Sequence, residues 1–134
     1  MTVDAAAALV CRLYQAFEDG DHEAIRACLA SDVQWRQADA AVPAAGQTAT
    51  GADALIDRVV VPLEREWEGF TEEVDELIAA GGRVIATGTY RGTYRATGRS
   101  IEAEFCHLWW VENDEIRRFR QFTDTAAFAV ATAP

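Results

Sequence analysis

The sequence is poor in the residues that build metal centres and disulfide frameworks. It holds three cysteines and two histidines in 134 residues. Cys11, Cys28 and Cys106 are odd in number, widely spaced and each set in an apolar context. They read as buried free thiols of a protein in a reducing, cytoplasmic environment. No CxxC or HxH pair occurs, and His22 and His107 lie far apart. Neither a metal site nor a cofactor is therefore expected. No apolar run approaches the roughly 18 residues of a membrane span, so no membrane partner is expected. The opening segment MTVDAAAALVCRLY has an acid at Asp4 and no basic region before its apolar stretch. It does not read as a signal peptide. Positive charge is scarce too: 12 basic residues face 22 acidic ones, a formal net charge of −10. A nucleic-acid binder needs clustered positive charge to displace counterions, so no nucleic-acid partner is expected. The local cluster RRFR, residues 117–120, alternates with apolar residues and reads as strand surface.

Apolar residues are plentiful, at 50%. The length fits a single domain, 1–134, with one core. Leu9, Val10, Leu13, Tyr14 and Phe17 recur at helical spacing and predict a helix over 4–18. Gly20 ends it, and Asp21 is placed to cap a second helix that carries Ile25, Cys28 and Leu29 on one face. A short strand, VQWRQ, follows at 33–37, with Val33, Trp35 and Gln37 on one side. Residues 38–50 form a loop of small residues long enough to cover a pocket mouth. Thr50 with Asp53 resembles a capping box for a third helix, which Pro62 should kink or end.

The second half reads as sheet. FTEEVDELIAA, 70–80, predicts an edge strand, because Gly81-Gly82 turns it into RVIATGTYRGTY. Its acids Glu72, Glu73, Asp75 and Glu76 read as a solvated face. The repeated GTYR lacks the lysine and following helix of a phosphate loop and reads as strand with a bulge. Residues 100–111 and 115–124 form a hairpin. Three helices and then a meander of long antiparallel strands make an α+β plan. A curved sheet wrapped on helices leaves a conical cavity, the default place for a ligand.

Several stretches carry a resemblance: AFEDGDHEAI (16–25), DVQW (32–35), TGADAL (50–55), RVIATGTYRGTYRATGR (83–99) and CHLWWVENDEIRRFRQFTD (106–124). Together they resemble the SnoaL-like polyketide cyclase and ketosteroid isomerase branch of the nuclear transport factor 2-like superfamily, over about residues 5–128. The resemblance implies a cone-shaped α+β barrel: three N-terminal helices packed on a strongly curved, mostly antiparallel sheet that encloses a pocket. It also implies a homodimer through the outer sheet face, for which Leu108 and Trp110 are suited. The isomerases use a carboxylate base, a tyrosine and a protonated aspartic acid. Matching their positions puts Gln37 at the base, Leu13 at the tyrosine, with Tyr14 about 100° around the helix, and His107 at the acid. The last-strand carboxylate of the epoxide hydrolases and cyclases matches Gln121. Steroid isomerisation by that residue set is therefore not expected.

Alternation places Phe105, His107, Trp109 and Val111 on one face of their strand. The register of the partner strand depends on the turn. A three-residue loop pairs Val111 with Glu115, sets His107 opposite Phe119, and puts Gln121 and Thr123 on the same face. A two-residue Asn113-Asp114 turn pairs Val111 with Ile116 and sets His107 opposite Arg120, with Phe122 and Asp124 inward. The first is preferred because it keeps Arg118 and Arg120 outside. Under it, His107 and Gln121 are the candidate catalytic residues. Leu13, Phe17, Trp35, Gln37, Phe105, Trp109, Phe119 and Thr123 are the candidate ligand-binding residues. The expected ligand is a small hydrophobic or aromatic compound, polyketide- or steroid-like. His107 can move protons near neutral pH, which points to acid-base chemistry on a carbonyl compound. His107, Gln37 and Gln121 can equally form a satisfied hydrogen-bond cluster in a non-catalytic binding or dimerisation module.

Overall fold

The computed structural model describes residues 4–134. Residues 1–3 of the expected domain lie outside the described residues. Helix α1, Ala5–Asp19, is capped by Asp4, whose carboxylate accepts from the Ala6 and Ala7 amides, and ends at left-handed Gly20. Helix α2, His22–Cys28, is capped by Asp21. The third helical segment, α3, covers 52–66, with wide π-helical turns over Ile56–Val60. Those turns precede Pro62, and the helix continues to Glu66 rather than stopping. A π turn re-spaces the backbone bonds where proline cannot donate. The expected capping box is absent: Gly51 occupies the cap without a side-chain bond, and Asp53 pairs with Arg26.

Six strands form one open mixed sheet in the order β2-β1-β6-β5-β4-β3. They are β1 Leu29–Arg36, β2 Thr48–Thr50, β3 Trp67–Ala80, β4 Arg83–Tyr94, β5 Ser100–Glu112 and β6 Glu115–Thr123. Only β1 and β6 run parallel; the other neighbours are antiparallel. The sheet bends where the ladder slips, since each extra residue in one strand adds local twist. Gly88 serves the same bend. A Cβ there would lie 2.1 Å from the Glu73 carbonyl oxygen and 2.6 Å from the Phe105 ring.

The hairpin follows neither expected register throughout. The turn is the two-residue Asn113-Asp114 form, both residues left-handed, with Val111 opposite Ile116. A bulge then adds one residue on β6, so Trp110 meets Arg118, Trp109 meets Phe119 and His107 meets Gln121. The inward face is thus the one the three-residue loop implied, reached through the other turn. An Asn-Asp turn fits the strand twist, and the bulge restores the buried face.

The core has two clusters. The larger joins α1, α2 and α3 to Trp35, Trp109 and Phe119. The smaller gathers Trp67, Tyr90, Phe105 and Phe128. Phe128 comes from a fourth helix, α4, Thr125–Thr132, which the sequence reading omitted. Asp124 caps it, and Arg99 bonds the carbonyls of Val130 and Ala133 at its far end. No helix among the described residues is long and apolar enough to cross a membrane. Cys28 is buried, Cys106 half-buried and Cys11 exposed, so burial holds fully for only one of the three thiols.

Candidate functional site

A cavity of about 660 Å³ takes its wall from both clusters. Helix α1 contributes Tyr14 and Phe17, one turn apart, beside the stripe Leu9, Leu13 and Ala16 that is buried in the core. Strand β5 contributes His107 and Trp109 by alternation, β6 contributes Phe119 and Gln121, and β4 contributes Tyr90. The register explains the room for large rings: His107 is flanked on β4 by Ala86, and Tyr90 faces Ala103.

His107 sits at the centre of a hydrogen-bonded chain. Its Nδ1 lies 2.6 Å from the Tyr14 hydroxyl, and its Nε2 lies 2.5 Å from the Tyr90 hydroxyl. Trp109 Nε1–H donates to the Tyr14 hydroxyl at 3.2 Å, and Gln121 Nε2–H donates to the Tyr90 hydroxyl at 3.0 Å. The Ala38 amide donates to Gln121 Oε1, which fixes the orientation of that side-chain amide. Gln37 is fixed in the same way: Trp35 Nε1–H donates to its Oε1, and its Nε2–H donates to the Pro43 carbonyl.

The ring is 2% exposed and stacks on Phe105 with centroids 4.0 Å apart. Burial pushes its pKa down to about 3, so it is neutral at physiological pH. A neutral imidazole has one N–H and one bare nitrogen. One tyrosine therefore donates to His107 and the other accepts from it. The accepting tyrosine keeps its own O–H proton for another acceptor. Either tautomer leaves one tyrosine donor free: that of Tyr14 when Nδ1 carries the proton, and that of Tyr90 when Nε2 does. Burial raises both phenols above their ordinary range, and the charge of Glu72 adds to the shift. Both hydroxyls stay protonated.

Glu72 is the feature the sequence reading missed. Trp67 of β3 faces inward opposite Tyr94. An uninterrupted strand would then send Gly69, Thr71 and Glu73 inward. The ladder instead gains a residue between Glu68 and Thr71, where Gly69 has φ +63°. A left-handed glycine is the usual means of inserting such a bulge. Phe70 and Glu72 consequently face inward, with Glu72 directly opposite Tyr90. Glu72 Oε2 is shut off from solvent and has no hydrogen-bond partner. Burial pushes its pKa up to about 8. Of the four acids expected on a solvated face, Glu72 and Glu73 both border the cavity; Glu73 is exposed, and Glu72 is the one that turns inward.

Of the expected site residues, Phe17, Trp35, Gln37, His107, Trp109, Phe119 and Gln121 line the cavity. Leu13, Phe105 and Thr123 do not. Leu13 is buried against the helices in the core, and Tyr14 takes the cavity position on α1. Phe105 lies behind His107 and Tyr90. Thr123 turns to the Glu104 carbonyl at the strand end. Tyr90 was missed although alternation from Val84 and Ala86 places it inward. Val42 and Pro43 put the small-residue loop on the cavity wall, as its length implied. Among the described residues, no group of three His, Cys, Asp or Glu is placed to hold a metal ion.

The model of the SnoaL-like domain matches residues 10–119. An NTF2-like protein from Burkholderia thailandensis E264 is 37% identical, with 98% of this chain and 100% of that chain covered and a TM-score of 0.90. An NTF2-like protein of unknown function from Burkholderia pseudomallei K96243 is 28% identical, over 98% of this chain and 100% of that one, with a TM-score of 0.88. TerC, co-crystallised with polyporic acid, is 23% identical over 96% of this chain and 98% of that one, with a TM-score of 0.85, and shares the fold. No curated protein matches the sequence. With most of its length matched and the cone-like sheet in place, the chain belongs to the SnoaL-like domain family.

Proposed function

We propose that the protein binds a hydrophobic, ring-containing carbonyl compound of polyketide or steroid size and performs proton-transfer chemistry on it. The observation that carries this reading is the Tyr14–His107–Tyr90 chain in the cavity wall. Its free O–H is a fixed donor in a low-dielectric site, where a bond to a ligand oxygen strengthens as negative charge develops there. Trp35, Trp109 and Phe119 offer flat apolar surface for the rest of the ligand. The cavity volume suits a small molecule of several rings. The co-crystallisation of TerC with polyporic acid supports a small-molecule ligand for this fold. In this reading His107 acts through the tyrosines as a neutral relay, and Gln121 orients Tyr90.

A binding-only function is favoured by one observation: both His107 nitrogens and both amide ends of Gln37 and Gln121 already have internal partners. Such closure suits a rigid receptor. The carbonyl reading is tested with 2-tetralone and its deoxy counterpart tetralin, followed by tryptophan fluorescence. The ketone should bind about 10-fold tighter, the value of one net hydrogen bond. The Tyr14→Phe/Tyr90→Phe double variant should lose that discrimination. Equal affinity of the wild type for both compounds refutes the carbonyl reading.

The proposed assembly is a homodimer through the outer sheet face. Ile85 and Phe122 are exposed there at 39% and 47%, and Leu108 and Trp110 are half-buried. Sedimentation velocity should give a dimer that Phe122→Asp disperses. A monomeric wild type at 100-fold dilution and at stock concentration alike contradicts the assembly.

A further inference from the structure

We propose that Glu72 is the acid–base residue of this cavity, taking and returning a proton at the carbon next to a ligand carbonyl held by the tyrosine donor. The inference rests on the carbonyl reading above and narrows the substrate to compounds with an α C–H bond. Three observations carry it. The β3 bulge turns Glu72 inward beside Tyr90, so the carboxylate and the free O–H act on neighbouring points of one ligand. Its Oε2 is buried without a protein partner, an arrangement that calls for an ordered water, a bound group or a role in a reaction. No basic side chain offsets it: burial alone accounts for its raised pKa, which lies near the working pH of a general base.

The positions that carry acids in related enzymes hold Gln37, His107 and Gln121 here. The desolvated carboxylate of this cavity, Glu72, comes from a different strand. In the proposed step Glu72, ionised, takes the α proton. The C–H electron pair becomes the new C=C bond, and the carbonyl π pair moves to oxygen. The developing oxyanion is held by the O–H of Tyr14 or Tyr90. The neutral Glu72 acid, half-exposed as a residue, trades its proton with solvent and returns one to carbon, at the same position or at the far end of a conjugated system. No oxidant, metal or second substrate enters the balance.

Glu72 is faced by Tyr90 from β4 and by Tyr14 from α1, both protonated throughout the neutral range, and His107 behind them is neutral. The other charged residues of the wall, Glu18, Asp19, Glu64, Glu73 and Arg95, are exposed ones. The rate should therefore rise with pH through about 8 and then level off.

The test is exchange of the α protons of 2-tetralone in D₂O, followed by proton NMR with the full chain. The wild type should accelerate exchange above buffer. Glu72→Gln should lower the protein-dependent rate by about 100-fold or more while 2-tetralone binding changes less than about 3-fold. Glu72→Asp should keep part of the rate. Two results overturn the inference while leaving the carbonyl reading intact: tight binding of 2-tetralone with no exchange by the wild type, or undiminished exchange by Glu72→Gln. If 2-tetralone binds no better than tetralin, the carbonyl reading fails and takes this inference with it.

Discussion

Replacing Glu72 by glutamine should change how folding stability depends on pH, and the size of the change follows from two desolvated groups, half-buried Glu72 and buried His107. Glu72 has a folded pKa of about 8 against 4.5 in the unfolded chain. Its folded form holds the proton more tightly, so ionisation costs stability from pH 4.5 upward until about pH 8, and no further loss follows above that. His107 has a folded pKa of about 3 against 6.5 unfolded. Its folded form resists protonation, so its contribution is complete above 6.5 and is lost as pH falls toward 3. Each group contributes a slope of about 1.4 kcal/mol per pH unit inside its own window. The windows overlap between 4.5 and 6.5, where the slopes oppose and cancel. Stability from these groups should be highest on that plateau and fall by about 2 kcal/mol between pH 6.5 and 8. For a chain of this length that is about 8 °C in Tm. Glu72→Gln removes the alkaline loss and leaves the acid limb. Urea denaturation from pH 4 to 9 checks this. Parallel wild-type and variant curves between pH 6.5 and 8 refute the claim that Glu72 is desolvated in the fold.

Three other perturbations probe the same construction. His107→Ala removes a stacked ring and leaves two buried hydroxyls each short of a partner, and should cost about 3 kcal/mol by chemical denaturation. Gly69→Ala forces a side chain into the left-handed region, should cost about 1 kcal/mol, and should weaken the alkaline stability loss by re-aiming Glu72. Arg99→Ala frees the end of α4 and should raise amide hydrogen exchange across Thr125–Thr132 with little change in β5.

Strands that alternate cleanly were legible in the sequence. The inward set Trp109, His107 and Phe105 follows from period two, and Trp35 and Gln37 follow in the same way from β1. Asp21 and Gly20 announced the α1–α2 joint because capping and left-handed turns depend on local chemistry. What escaped reading depended on single extra residues. A bulge at Gly69 inverts the parity of β3 and turns Glu72 inward, and a bulge on β6 reconciles an Asn-Asp turn with an inward Gln121. Neither slip leaves a mark in composition, because an extra residue in a ladder is decided by what the two faces must bury. Leu13 in place of Tyr14 was a matter of helical phase. Both lie on inward-leaning stripes of α1, and only the packing of Leu13 against α2 and α3 decides which one reaches the cavity. Helix α4 was missed because its alanine-rich segment shows no clear periodicity, and its burial rests on Phe128 and Ala131.

In the proposed complex, a tyrosine hydroxyl of the Tyr14–His107–Tyr90 chain meets a ligand oxygen. The carbonyl stretch of bound ¹³C=O-labelled 2-tetralone, read by isotope-edited infrared difference spectroscopy, tests it most directly. A hydrogen bond in an enclosed site should move the band to lower frequency than in hydrocarbon solvent, and the Tyr14→Phe/Tyr90→Phe variant should return it. A bound ketone whose carbonyl band sits at the hydrocarbon value in the wild type contradicts a hydrogen bond from either tyrosine.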